Sequence, residues 1–148
     1  MNQQPNLIAC AIKRAKPSDR LLELVKHHSN SVPSRGTVTL QFKDTCYNPT
    51  EGGFHPVSIV ADIQDSNITI IQITDLAYAG SPHAELMPDL AFDFANQTAF
   101  ARFSGWLGMH LEEVTELYAM WEGNFLAYVD MDAFDDISAH VRKVEKLA

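Results

Sequence analysis

Apolar residues recur at every second position in runs between Thr37 and Ser104, and at every third or fourth position between Leu111 and Tyr128. That switch of period limits the chain to few folds. A period of two is a strand with one buried face, and a period near 3.6 is an amphipathic helix. Val38, Leu40 and Phe42 alternate with Thr37, Thr39, Gln41 and Lys43, and Val57, Ile59, Ala61 and Ile63 alternate with Ser58, Val60, Asp62 and Gln64. Asp65-Ser66-Asn67 is turn chemistry, so the β-branched run from Ile68 to Asp75 returns as the second arm of a hairpin. Ala79-Gly80-Ser81-Pro82 interrupts the pattern. Leu90, Phe92 and Phe94 then alternate with Asp89, Ala91 and Asp93. Asn96-Gln97 is a turn, and Thr98 to Ser104 is predicted as one more strand.

The period changes after Trp106. Leu111, Val114, Tyr118, Trp121, Phe125 and Tyr128 form one helical face, with Glu112 and Glu113 in the first turn, where the helix dipole favours negative charge. Upstream, Pro17-Ser18-Asp19 reads as a helix start, Leu21, Leu22, Leu24 and Val25 as its apolar face, and His27-His28-Ser29-Asn30 as its end. Residues 133–148 fit a helix through Phe134, Ile137, Val141 and Val144, or a strand through Ile137, Ala139 and Val141. The reading adopted is a short strand that rejoins the sheet, followed by a frayed basic tail. The expected fold is α+β: an antiparallel meander with an N-terminal and a C-terminal helix packed on one face. Residues 1–16 are expected to form an N-terminal arm and residues 17–148 a single domain.

Charge narrows the partners. Residues 1–43 carry seven Lys or Arg against Asp19 and Glu23, while residues 44–148 carry seventeen acidic residues against four basic ones. From Asp44 to Val141, Arg102 is the one basic residue among sixteen acidic residues. Phosphate backbones are bound through Lys and Arg, so this body is expected to repel nucleic acid. The basic N-terminal third is expected to fold against the acidic body or against that of a neighbouring subunit. No apolar stretch approaches the length that spans a bilayer, and no membrane partner is expected. The apolar run from Asn6 to Ile12 precedes its basic residues, the reverse of a secretory signal. Cys10 and Cys46 make no disulfide framework and are expected as free thiols in a reducing cytoplasm.

The loop from Asp44 to Val57 is longer than a tight hairpin needs. Gly52-Gly53 can adopt positive φ, and Pro56 pushes His55 into an extended conformation. Two readings stand. In one, His55 and Asp44 flank a small site with Tyr47 as a polar aromatic wall. In the other, the loop packs on itself and His55 satisfies backbone carbonyls. None of the six histidines has a partner at metal-site spacing, and neither cysteine sits in a Cys-x-x-Cys arrangement. No metal, cofactor or catalytic residue is therefore assigned. Ser81 and Ser104 lack the Gly-x-Ser-x-Gly elbow, and the chain has no phosphate-cradling glycine loop. Trp106 and Trp121 are the candidates for a contact between subunits.

Phe42-x-Asp44-x-x-Tyr47, Gly52-Gly53-Phe54-His55-Pro56-Val57, Ile73-Thr74-Asp75-Leu76-Ala77-Tyr78, Gly105-Trp106 and Trp121-x-x-Asn124-Phe125-x-x-Tyr128 resemble, in this order, a family of small uncharacterised bacterial proteins, a domain of unknown function. That family is similar in fold to the acidic protein of the mitochondrial matrix that binds the globular heads of a complement component. The resemblance implies a twisted antiparallel sheet flanked by terminal helices, assembled as an oligomer with an acidic face. It implies no catalytic residue. Two functions are consistent with the sequence. The first is a non-enzymatic, oligomeric (dimer or trimer) acidic protein that binds a basic protein partner. The second is a small-molecule-binding protein, or a hydrolytic or isomerising enzyme, of cone-like α+β shape. Its pocket would lie near His55 and Asp44, with Asp75 and Tyr78 also lining it.

Overall fold

The computed structural model describes residues 14–30 and 35–142. Helix α1 (Asp19–His28) starts where Ser18 caps it, the Ser18 hydroxyl accepting a hydrogen bond from the Leu21 N–H at 3.2 Å. It buries Leu21 and Val25. Seven strands follow: β1 (Arg35–Lys43), β2 (Val57–Gln64), β3 (Asn67–Ala79), β4 (Glu85–Asp93), β5 (Thr98–Ala101), β6 (Gly105–Gly108) and, after helix α2 (Glu112–Asp130), β7 (Asp136–Arg142). They form one antiparallel sheet in the order β6-β5-β4-β3-β2-β1-β7. The architecture is α+β.

Register follows from the buried alternation. Ala139, Leu40, Ile59, Ile73, Phe92, Ala99 and Leu107 lie side by side across all seven strands on one face. All seven belong to or pack against the core cluster that Leu21 and Val25 of α1 and Val114, Tyr118, Trp121 and Phe125 of α2 complete. Both helices thus cover the same face. Burying one such large side chain contributes about 1.5–3 kcal/mol, and slipping a strand by one residue would expose its whole inward set.

The sheet departs from its sequence-based outline in two respects. Strands β3 and β4 are longer than their alternating cores. The segment read as one strand from Thr98 to Ser104 ends at Ala101, turns at Arg102–Ser104 and returns as β6, with Gly105 at φ 73°. Phe103, counted there as a strand residue, is 91% exposed on that turn. The terminal segment follows the reading adopted and rejoins the sheet as a strand: Ile137 and Ala139 pair with Phe42 and Leu40 of β1. Residues 14–16 approach α1 as irregular chain, with Ala15 buried. The rest of the expected N-terminal arm and the basic tail lie outside the described residues. No helix among the described residues is long and apolar enough to cross a membrane.

Candidate functional site

The long β1–β2 loop is organised by its own side chains. Asp44 accepts hydrogen bonds from the Cys46 N–H at 3.0 Å and the Phe54 N–H at 3.1 Å. Asn48 exchanges backbone hydrogen bonds with Gly52, and its side chain accepts from the Thr50 and Glu51 N–H groups. Gly53 has φ 138°, and a Cβ there would lie 2.8 Å from an Asp44 carboxylate oxygen and 2.9 Å from the Tyr47 Cα. Only glycine fits that close approach. Both Asp135 carboxylate oxygens receive hydrogen bonds from Thr45, one from its N–H at 2.8 Å and one from its hydroxyl. These bonds hold the Asp135 carboxyl below its ordinary range. The loop therefore packs on itself, as one of the two sequence readings had it.

It also aims His55. The Pro56 carbonyl accepts from the Leu76 N–H at 2.9 Å, which fixes the strand entry beside β3. His55 Nδ1 then lies 2.8 Å from Asp75 Oδ1, so the histidine meets a carboxylate and not the backbone carbonyls that the self-packed reading gave it. The other oxygen of Asp75 accepts from Trp121 Nε1 of α2 at 2.9 Å, and the Asp75 side chain is 13% exposed. The hydrogen bond to Asp75 raises the His55 pKa above its ordinary value. Burial opposes that rise, the charges of Asp75 and Asp89 reinforce it, and Arg102 opposes it.

Asp89 reaches this cluster because β4 bulges. Asp75 pairs with Leu90 and Leu76 with Pro88, so Asp89 is the extra residue between them. A bulge re-aims a side chain, and the Asp89 carboxylate comes to within 4.8 Å of the ligand atoms of His55 and Asp75. Arg102, the lone cation of the acidic body, stands behind it: Arg102 Nε is 3.6 Å from Asp89 Oδ1, and the Arg102 N–H donates to the Asp89 carbonyl at 3.0 Å. His55, Asp75 and Asp89 line a cavity of about 330 Å³ walled by Phe54, Trp121, Asn124, Tyr128 and Phe134.

The structure thus unites His55, Asp75 and Trp121 in one cavity. Asp44, Tyr47 and Tyr78 stand behind it. Tyr47 accepts from the Tyr78 N–H through its hydroxyl at 3.0 Å, and its ring lies 5.5 Å from that of His55. Trp121 is 6% exposed, so the expectation that it meets another subunit is corrected: its ring is committed to the core and to Asp75. Trp106, at 60% exposed, remains at the surface on the edge strand β6 and far from these contacts in the sheet order. Asp89 was missed by the alternation. Its neighbour Pro88 carried the signal, because proline in a strand marks an edge or a bulge.

A second buried carboxylate belongs to the same helix. Glu122 is 8% exposed and accepts from the Tyr118 hydroxyl at 2.5 Å and from the Ser18 N–H at 3.0 Å. Burial first, then Glu122 itself, pushes the Tyr118 hydroxyl far above its ordinary pKa.

This chain belongs to the DUF2787 family of proteins of unknown function, which it matches over residues 18–140. It is similar to two solved structures from Vibrio cholerae. The hypothetical protein VC0508 of the VSP-II pathogenicity island is 35% identical, with a TM-score of 0.78 over 86% of this chain and 94% of that one. The conserved hypothetical protein VC1805 of pathogenicity island VPI-2 is 35% identical, with a TM-score of 0.72 over 86% of this chain and 96% of that one. VC1805 is described as sharing structural homology with the human P32 protein, which agrees with the fold implied by the sequence resemblance. No curated protein matches the chain.

Proposed function

We propose that this chain is a non-enzymatic, cytoplasmic, oligomeric binding protein whose acidic surface engages a basic protein partner. The observation that carries this reading is an acidic surface that few of the described basic residues pair with. Glu112, Glu113 and Glu116 are exposed along α2, and Asp130, Asp132, Asp135 and Asp136 are exposed around its C-terminal end. Among the described residues, ion pairs engage only Asp65, Asp75, Asp89 and Asp130 of the acidic body. Such a surface speeds and orients encounter with a cationic partner. The similarity to a P32-like fold supports a binding role. Self-association has to overcome repulsion between acidic bodies, and the exposed Trp106 and Phe103 on the β5–β6 hairpin offer an apolar contact for it.

The test uses the full chain. Immobilised protein should retain polylysine at about 0.05 M salt and release most of it by about 0.3 M, as the Debye length shortens. Retention that matches polyglutamate, or that ignores salt, would overturn the reading. Light scattering should give a dimer or trimer of the 16.5 kDa chain, and a monomer at high micromolar concentration would remove the oligomer.

One observation favours a second reading, a small-molecule site: polar groups from three strands or loops and one helix converge on the 330 Å³ cavity. There the chemistry available is proton transfer by His55, with Asp75 holding the imidazole in place.

A further inference from the structure

The geometry points to a binding site for one divalent first-row transition-metal ion, held by His55 Nδ1, a carboxylate oxygen of Asp75 and a carboxylate oxygen of Asp89 at the base of the α2 cavity. Three observations carry it. First, the donor atoms are gathered in advance. His55 Nδ1 and Asp75 Oδ1 are 2.8 Å apart, and the Asp89 oxygen completes a set lying within 4.8 Å. Two ligands that each sit about 2.0–2.2 Å from a metal ion lie about 3 Å from one another. The first pair is already at that spacing, and a rotation of the Asp89 side chain closes the third position.

Second, the ligands have the outer contacts that a metal site needs. Trp121 Nε1 holds one Asp75 oxygen at 2.9 Å, which leaves the other for the ion. Arg102 stands 3.6 Å from one oxygen of Asp89, which leaves the second free. Such partners orient metal-binding carboxylates. Third, the backbone is bent to deliver Asp89. A regular strand would turn it away, and the bulge at Leu76/Asp75 turns it in.

The donor set selects the ion. One imidazole nitrogen and two carboxylate oxygens suit zinc, manganese, iron or nickel in the divalent state. The absence of sulfur disfavours soft ions, and the imidazole disfavours calcium and magnesium. Two carboxylates balance a 2+ charge, and among the described residues Arg102 is the fixed cation paired with one of them. His55 binds without a proton on Nδ1, so the ion takes the place of the proton between His55 and Asp75. Three protein ligands would leave coordination positions for a water or a small oxygen ligand from the cavity, whose lining includes Phe54 and Tyr128. This site is independent of the acidic surface proposed to bind a basic partner.

The experiment titrates the tag-free full chain with cobalt(II), followed by visible absorption, and with zinc(II), followed by calorimetry. The expected result is one equivalent per chain, a cobalt d–d spectrum, and quenching of Trp121 fluorescence that persists in Trp106→Phe. Asp89→Asn and His55→Ala should each weaken binding by about tenfold or more, and Trp121→Phe by less. Circular dichroism checks that the variants are folded, and Asp89→Asn keeps the shape of the bulge. Binding no tighter than millimolar in the wild-type chain would overturn the site. So would binding that both Asp89→Asn and His55→Ala leave unchanged, since the ion would then sit on the acidic surface.

Discussion

Two carboxylates are held by aromatic side chains of helix α2: Glu122, which belongs to that helix, and Asp75, which faces it from β3. Glu122 takes hydrogen bonds from Tyr118 and from the backbone of Ser18, the residue that caps α1. Asp75 takes hydrogen bonds from Trp121 and His55. The first joins two helices to each other, so its bonds are spent on the fold. The second faces a cavity beside another carboxylate, Asp89, which is part-exposed and lies 3.6 Å from Arg102, so its oxygens are not spent on holding elements together. The difference is one between a fastening and a site.

Replacing Glu122 gives the largest effect. Glu122→Ala leaves a buried tyrosine hydroxyl and a backbone N–H without their acceptor, and should cost about 2–4 kcal/mol in denaturant unfolding. A loss smaller than that of Asp75→Asn would break the comparison. Next comes Gly53, which sets the position of His55. Gly53→Val combines positive φ with a clash against Asp44 and should cost about 1–3 kcal/mol. Gly52 also has positive φ but has open space around it, so Gly52→Val should cost less. Equal effects would show that crowding by Asp44 plays no part. Asp75→Asn keeps an acceptor for Trp121 and should cost about 1 kcal/mol while abolishing metal binding.

The smallest effect lies outside both carboxylates. The His28 ring packs edge-on against Phe42 at 5.6 Å, and burial, with a contribution from His27, lowers its pKa below 6.5. As pH falls below 6.5 the unfolded chain takes the proton first. Stability therefore declines until pH passes the folded-state value. Denaturant midpoints at pH 5 and pH 7 should differ less in His28→Gln than in the wild type by this amount, and an identical pH response would remove His28 from the account.

Much of the fold was legible because it is written in local periodicity. Val38-Leu40-Phe42 and Val57-Ile59-Ala61-Ile63 have one buried face each, and their pairing follows from it. The helical face from Val114 to Phe125 is equally plain. The turn at Arg102–Ser104 was hidden because Phe103 continues an apparent alternation while pointing into solvent. His55 and Asp75 were legible as candidates by residue type and context. Their partner Asp89 was not, because a bulge adds one residue and reverses every inference from alternation beyond it. The three residues are also 20 and 14 positions apart, a separation that matches no local metal motif.

The most direct test of the distinction is the shift in Tm that one equivalent of zinc(II) produces in three proteins: the wild type, Glu122→Gln and Asp89→Asn. Binding to the folded state raises Tm by mass action. Zinc should stabilise the wild type and Glu122→Gln by similar amounts, although Glu122→Gln starts from a lower Tm. Little or no shift is expected in Asp89→Asn, whose metal-free Tm should stay close to the wild-type value. A zinc shift retained in Asp89→Asn, or lost in Glu122→Gln, would contradict the distinction.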